Sequence, residues 1–178
     1  MRPHAFGEAS QGERIVFGAR RPGYPNERVD EQCVADWIGF MQDNEIRRVM
    51  CLLEKGQLDY YSSLPNGLLE MYVKNFGSET VNHETICDYH LCEKQKLKRI
   101  LEFMKMADET GEKVVVHCSG GSGRTGHVLA CWLVHGRGFQ EEEALRVVEK
   151  MGRCPREAVN CGNANEEDLM QLLTSARR

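Results

Sequence analysis

The sequence has 178 residues, 41% of them hydrophobic and 28% charged, with a formal net charge of −4. That length suits one domain able to fold without a metal or disulfide staple, and the apolar content excludes a disordered chain. The acidic balance argues against a protein that wraps nucleic acid, while leaving room for one basic pocket. Eight cysteines are the unusual feature. The N-terminus has no apolar stretch of signal-peptide length, and no run reaches the roughly 18 residues that span a bilayer. The expectation is a cytoplasmic chain with reduced thiols and no membrane contact.

Residues 1–13 are polar and read as a flexible leader, ahead of one domain over 14–178. Residues 14–18 read as a short strand, followed by RRPGYPNE, whose prolines and glycine forbid regular structure. Asp30 is placed to cap a helix in which Val34, Trp37, Ile38 and Met41 recur at helical spacing, up to Asn44. A buried strand is expected at 47–53, a helix at 68–76 stopped by Gly77, and a half-exposed strand at 81–87. The helix at 93–110 carries Leu97, Ile100, Leu101, Met104 and Ala107 on one face and closes at Gly111. KVVVH at 113–117 is the clearest strand. Residues 124–135 are apolar nearly all round, the mark of a central buried helix. Two amphipathic helices follow, at 141–151 and Glu166–Ser175. This order implies an α/β fold, with a mostly parallel central sheet of four or five strands flanked by about six helices.

The chemistry concentrates in VVVHCSGGSGRTG, residues 114–126. A buried strand runs into a loop of glycines and serines that opens a buried helix. Such a loop turns successive N–H groups inward, and the helix N-terminus adds positive potential, so phosphate is the natural guest. Gly121, Gly123 and Gly126 match G-x-G-x-x-G, but no second strand with an acidic end follows at the required distance. A nucleoside-triphosphate loop fails at both signature positions, where Cys118 and Arg124 stand. Those two residues frame five others, Ser119, Gly120, Gly121, Ser122 and Gly123, as C-x5-R. A thiol under inward N–H groups at a helix N-terminus is set to ionise readily and attack phosphorus from beneath. Arg124 grips two phosphate oxygens with its planar fork. The Thr125 hydroxyl is placed to stabilise the sulfur as a leaving group. His117 either braces the loop and the thiolate from behind or is a satisfied core histidine. Asp88, just after the third strand, is the best-placed general acid, ahead of Asp43, Asp59 and Asp108.

HCSGGSGRTG resembles the HC-x5-R-[ST] signature of cysteine-dependent protein tyrosine and dual-specificity phosphatases, particularly the small atypical type. LACWLVHGRGF downstream and ICDY, whose Asp88 lies 30 residues before the cysteine, strengthen the likeness. The resemblance implies a dual-specificity-phosphatase-like fold and hydrolysis of phosphotyrosine, with phosphoserine and phosphothreonine, through a phosphocysteine. It makes Cys118 the nucleophile, Arg124 the phosphate clamp, Thr125 the leaving-group aid and Asp88 the acid, without a cofactor. The implied partner is a phosphorylated protein or peptide, met by a monomer. Two alternatives are a catalytically weak phosphate-binding module and a phosphatase for a non-protein ester. The loop interior has no lysine, against a multiply charged lipid head group. Departures exist: Tyr89 and His90, not proline, follow Asp88, and the water-positioning residue is not obvious, with Glu157 as candidate. Tyr60 and Tyr61 are candidates for the pocket mouth or for packing.

His83, Cys87, His90 and Cys92 crowd together as zinc ligands do, but a strand followed by a loop splits them between faces, so no metal is expected. Cys33, Cys51 and Cys131 read as small hydrophobes, and Cys154 and Cys161 as loop residues without evident partners. Cys118 alone has a loop, a dipole and an arginine arranged around it.

Overall fold

Three consecutive valines, Val114 to Val116, need burial on both faces of a strand, and the fold supplies it. In the computed structural model, which describes residues 3–177, strand β5 (Lys113–Cys118) runs through the middle of a five-stranded sheet. The others are β1 (Gly7–Glu8), β2 (Val16–Arg20), β3 (Ile46–Cys51) and β4 (Val81–His83), in the order β1-β2-β5-β3-β4. Every pairing is parallel except that of the two-residue edge strand β1. Val114, Val116 and Cys118 enter one core and Val115 the other, the alternation a strand buried on both sides requires.

Helices α1 (Glu31–Asp43) and α3 (Gly67–Phe76) cover the Val115 face. Helices α4 (Lys94–Thr110), α5 (Gly123–Arg137), α6 (Glu141–Lys150) and α8 (Glu166–Ser175) cover the Val114 face. Asp30 caps α1 as expected, its Oδ1 accepting from the Cys33 N–H at 2.8 Å. Helix α5 is buried from Gly123 through Val134, which agrees with its all-round apolar sequence. Two one-turn helices, α2 (Lys55–Leu58) and α7 (Glu157–Asn160), raise the helix number above the six expected. Both are too short for a periodic signature. The half-exposed strand expected at 81–87 pairs with β3 only over Val81 to His83, because β3 ends at Cys51 and the chain turns into α2.

The polar N-terminal stretch departs from the flexible leader expected over 1–13. Within residues 3–13, β1 pairs with β2, Ala9 is fully buried, and Glu13 is the anchor. Its carboxylate accepts from the Ile15 N–H at 2.9 Å and from Arg137 Nε at 2.8 Å. Burial would raise the Glu13 pKa, yet Arg137 and the Ile15 and Val16 N–H groups hold it below the usual value. Arg137 also pairs with Asp108 at 2.7 Å and lies over the Trp132 ring. Phe6 adds to this, stacked on Phe17 at 5.1 Å, and composition missed the segment because a few isolated residues fasten it, without a periodic apolar pattern. Glu13→Ala is expected to cost about 2–3 kcal/mol in urea unfolding, since it removes a buried carboxylate that accepts from the Ile15 and Val16 N–H groups and Trp132 Nε1 and pairs with the half-buried Arg137. A loss below about 0.5 kcal/mol, the surface-mutation range, would mean that the segment does not belong to the fold.

Candidate active site

The carboxyl ends of β2, β3, β4 and β5 open on one edge of the sheet, where α/β proteins place ligands. Cys118 ends β5 there and is 3% exposed. Its loop crosses to α5 through Ser119–Ser122, and two glycines in it are sterically obligatory. Gly121 has φ +71°, and a Cβ there would lie 2.6 Å from the Ala19 carbonyl. A Cβ on Gly123 would sit 1.8 Å from Glu157 Oε2. The loop is therefore pressed between β2 and α7, and bare backbone lines its inside.

The donors around Cys118 are only partly used. No hydrogen bond among the described residues takes up the N–H groups of Gly120, Gly121 or Ser122. Arg124 is 2% exposed, and its Nε is without a partner, as is Thr125 Oγ1. Arg124 Nη1 donates to Gln57 Oε1 at 2.9 Å and to the Ile86 carbonyl at 3.1 Å. Arg124 Nη2 pairs with Asp88 Oδ1 at 2.9 Å. Asp88 thus reaches the site, as its place after a parallel strand predicts. Glu157 reaches it too. Burial first, and then the Asp88 charge, push its carboxyl up, against the pull of Arg124 and the Gly123 N–H. Unpaired donors gathered in the residues from Gly120 to Thr125, next to Cys118, suit an oxyanion.

His117 is fully buried between Trp37 and Tyr72, and burial pushes it down to about 4. Its Nδ1 lies 3.2 Å from the Cys118 carbonyl and its Nε2 3.1 Å from the Tyr72 hydroxyl. A neutral ring with Nδ1–H donating and Nε2 accepting satisfies both. His117 is thus a satisfied buried histidine, tied to the backbone of the residue that opens the loop.

Other site residues escaped the sequence. Gln57 on α2 touches both Arg124 and Asp88. Buried Arg153 donates through Nη1 to the Gly121 carbonyl and through Nη2 to the Gly18 carbonyl at 2.8 Å. Buried Arg21 donates from Nε to Ser119 Oγ at 3.1 Å. Gln57 sits on a one-turn helix, Arg21 just past a strand end and Arg153 in a loop, all without periodicity or motif. Tyr61 is fully buried, its hydroxyl donating to the Pro22 carbonyl, and Tyr60 packs under Arg21 at 4.7 Å. Neither is an exposed residue of the mouth. Those residues are Tyr24 and Tyr89, 42% and 50% exposed. The Tyr24 ring lies 3.6 Å from where a Gly120 Cβ would be, and Tyr89 follows Asp88 with φ +59°. His83 Nε2 is engaged by the Leu53 carbonyl and His90 Nδ1 by the Asp88 carbonyl.

His127, fully buried behind the loop, is pushed down to about 4 as well, its Nε2 accepting from the Cys92 N–H at 3.1 Å. Below pH 6.5 an unfolded chain takes up two protons that the folded one refuses. Stability is full above that point and is lost as the pH falls toward 4, by up to about 1.4 kcal/mol per pH unit for each histidine. Urea midpoints between pH 7 and 4.5 should drop accordingly, and His127→Gln should shallow the slope. A flat series contradicts two neutral buried histidines.

A protein-family model described as "Swiss Army Knife protein, DSP-PTPase phosphatase domain" matches residues 30–168. The chain is 44% identical over 124 residues to the uncharacterized protein MJECL20 of Methanocaldococcus jannaschii, covering 68% of this chain and 69% of that one. It is 28% identical over 138 residues to putative tyrosine phosphatase 067L of Invertebrate iridescent virus 3 (77% of this chain, 49% of that one). Over 46 residues it is 41% identical to tyrosine-protein phosphatase cdc-14 of Caenorhabditis elegans (26% of this chain, 6% of that one). The chain thus spans half or less of the length of those two named relatives. Among solved structures, Tk-PTP in the active form superposes with a TM-score of 0.66 at 25% identity, covering 94% of this chain and 99% of that one. Kinase associated phosphatase (TM-score 0.69, 21% identity, 88% and 86% covered) shares the fold. So does PTPMT1 in complex with PI(5)P (0.67, 14%, 96% and 96%).

Proposed function

The chain belongs to the DSP-PTPase phosphatase domain family, and we propose that it hydrolyses phosphomonoesters through a phosphocysteine, within one catalytic domain over 14–178 onto which residues 3–13 are packed. One observation carries the proposal. The unpaired donors around Cys118 (the loop N–H groups, Arg124 Nε and Thr125 Oγ1) fit the oxygens of a phosphoryl group.

The phosphate settles on the free N–H groups of Gly120, Gly121 and Ser122, and its dianion replaces Asp88 on the Arg124 fork. The Cys118 thiolate attacks phosphorus in line, forming S–P as the bond to the ester oxygen breaks. Asp88, having exchanged a cationic neighbour for an anionic one, reaches that oxygen in its protonated form and delivers the proton. Water held by Glu157 then attacks phosphorus and gives a proton to Asp88. The S–P bond breaks, Thr125 Oγ1 steadies the departing thiolate, and inorganic phosphate leaves. His117 keeps the loop in register and takes no proton.

For the substrate, Tyr24 and Tyr89 favour an aromatic ester. Among the described residues the only other large hydrophobic side chain this exposed is Met106, on α4. Tyr24 lies against Gly120 of the loop, and Tyr89 follows Asp88, whose charge with that of Glu157 raises its phenol. An aryl ring standing on the phosphate meets both faces of this mouth, whereas the short phosphoserine side chain meets neither. The phosphoinositide held by PTPMT1 asks for further cations beside the phosphate, and 119–123 supply none.

Cys118→Ser should reduce turnover of p-nitrophenyl phosphate by at least about 10³-fold while vanadate still binds. Undiminished turnover by that variant would sink the mechanism. Tyr24→Ala and Tyr89→Ala should each lower kcat/KM on phosphotyrosyl peptides by about 10-fold, the scale of one lost ring contact. Matched phosphoseryl peptides should lose no more than about 2-fold. Equal losses on both would remove the tyrosines from substrate selection.

A further inference from the structure

Three side chains close a ring beside Cys118. Gln57 Oε1 accepts from Arg124 Nη1 and Gln57 Nε2 donates to Asp88 Oδ2, both at 2.9 Å. Arg124 Nη2 completes it on Asp88 Oδ1, also at 2.9 Å. The orientation of the Gln57 amide is fixed by its partners, since guanidinium only donates and an ionised carboxylate only accepts. Gln57 is buried on α2, which follows β3 directly, and β3 is in register with β5 at Cys51 and His117. The amide therefore stands buried on a one-turn helix close to the end of β3, whereas Asp88 stands on a loop with a third of its side chain exposed.

We propose that Gln57 is the positioning residue that presents Asp88 as the acid. The proposal rests on the phosphomonoester reading above. Gln57 and the Ile86 carbonyl hold Nη1, which leaves the Nε and Nη2 edge as the fork. Of that edge, Nε has no partner and Nη2 holds only Asp88 Oδ1. A phosphate that takes the fork displaces Oδ1 but leaves Oδ2 on the Gln57 amide. Asp88 then stays within reach, and its proton resides on Oδ1, the oxygen just released toward the substrate. A glutamate at 57 would repel Asp88 and compete with phosphate for Arg124. The neutral amide does neither.

The test uses the full chain with p-nitrophenyl phosphate, a good leaving group, and unsubstituted phenyl phosphate, a poor one. Gln57→Glu is isosteric and keeps the acceptor for Arg124 while removing the donor to Asp88; Gln57→Met removes both. Both variants should lose about 30-fold or more in kcat with phenyl phosphate, and no more than about 5-fold with p-nitrophenyl phosphate. In an Asp88→Asn background, Gln57→Met should add no leaving-group-dependent loss, because the group it serves is already gone. Equal losses on the two esters, or a differential loss that persists without Asp88, would overturn the assignment. Parent chain that shows no Cys118-dependent turnover of p-nitrophenyl phosphate overturns the phosphomonoester reading, and this assignment with it. Turnover without the differential loss overturns this assignment alone.

Discussion

The site is organised around the burial of a charge that cannot be neutralised. Arg124 is 2% exposed, and a guanidinium keeps its proton at any ordinary pH. Removing such an ion from water costs several kcal/mol unless partners replace the lost hydration. Gln57, the Ile86 carbonyl and Asp88 supply part of that replacement, and Nε is left without any. The resting protein thus keeps a carboxylate where a dianion is wanted, beside a donor that nothing satisfies. On the mechanism proposed above, substrate binding is an exchange of anions on Arg124, and the displaced anion is the acid.

Two further arginines hold the same loop from outside. Arg21, 2% exposed, ties Ser119 to the carbonyls of Pro22, Pro25 and Asn26, and so fixes the turn that carries Tyr24. Arg153, pushed down to about 10 by burial, reaches the carbonyls of Gly121 and Gly18. Backbone carbonyls satisfy hydrogen bonds without cancelling charge, so the Arg21 and Arg153 charges still act on the loop. A chain with net charge −4 concentrates its buried positive charge there. The acidic total and the anion site are compatible because solvent screens surface carboxylates far more than it screens charges inside.

The parts legible in the sequence are those whose cause is local. The capped α1, the valine strand β5, the all-apolar α5 and the C-x5-R loop each carry their signal within a few residues. Asp88 was legible for a different reason, because parallel strands deliver their C-terminal loops to one edge. Gln57, Arg21 and Arg153 were not legible, since each reaches the loop through tertiary packing and none lies in a patterned segment. Tyr60 and Tyr61 drew attention as adjacent aromatics, yet the structure packs them under the loop and leaves Tyr24 and Tyr89 outside. Their exposure depends on backbone placement, which composition does not encode.

The acid loop lacks the proline that follows the aspartate in the family pattern, and its geometry shows what takes the proline's place. Tyr89 holds φ +59°, a left-handed conformation that costs a non-glycine residue about 1–2 kcal/mol. Three hydrogen bonds hold it: Tyr89 N–H to Asp88 Oδ1 at 3.1 Å, His90 Nδ1 to the Asp88 carbonyl at 2.7 Å, and Asn163 Nδ2 to the Tyr89 carbonyl at 3.0 Å. The last comes from the segment just after α7, the helix that presents Glu157. The turn that carries the acid and the helix that carries the second carboxylate are therefore joined directly. With Asp88 already on Arg124, no large closure is needed to bring it to the substrate. On the proposed mechanism phosphate has only to take Nε and Nη2, and the carboxyl group it displaces passes to the leaving oxygen.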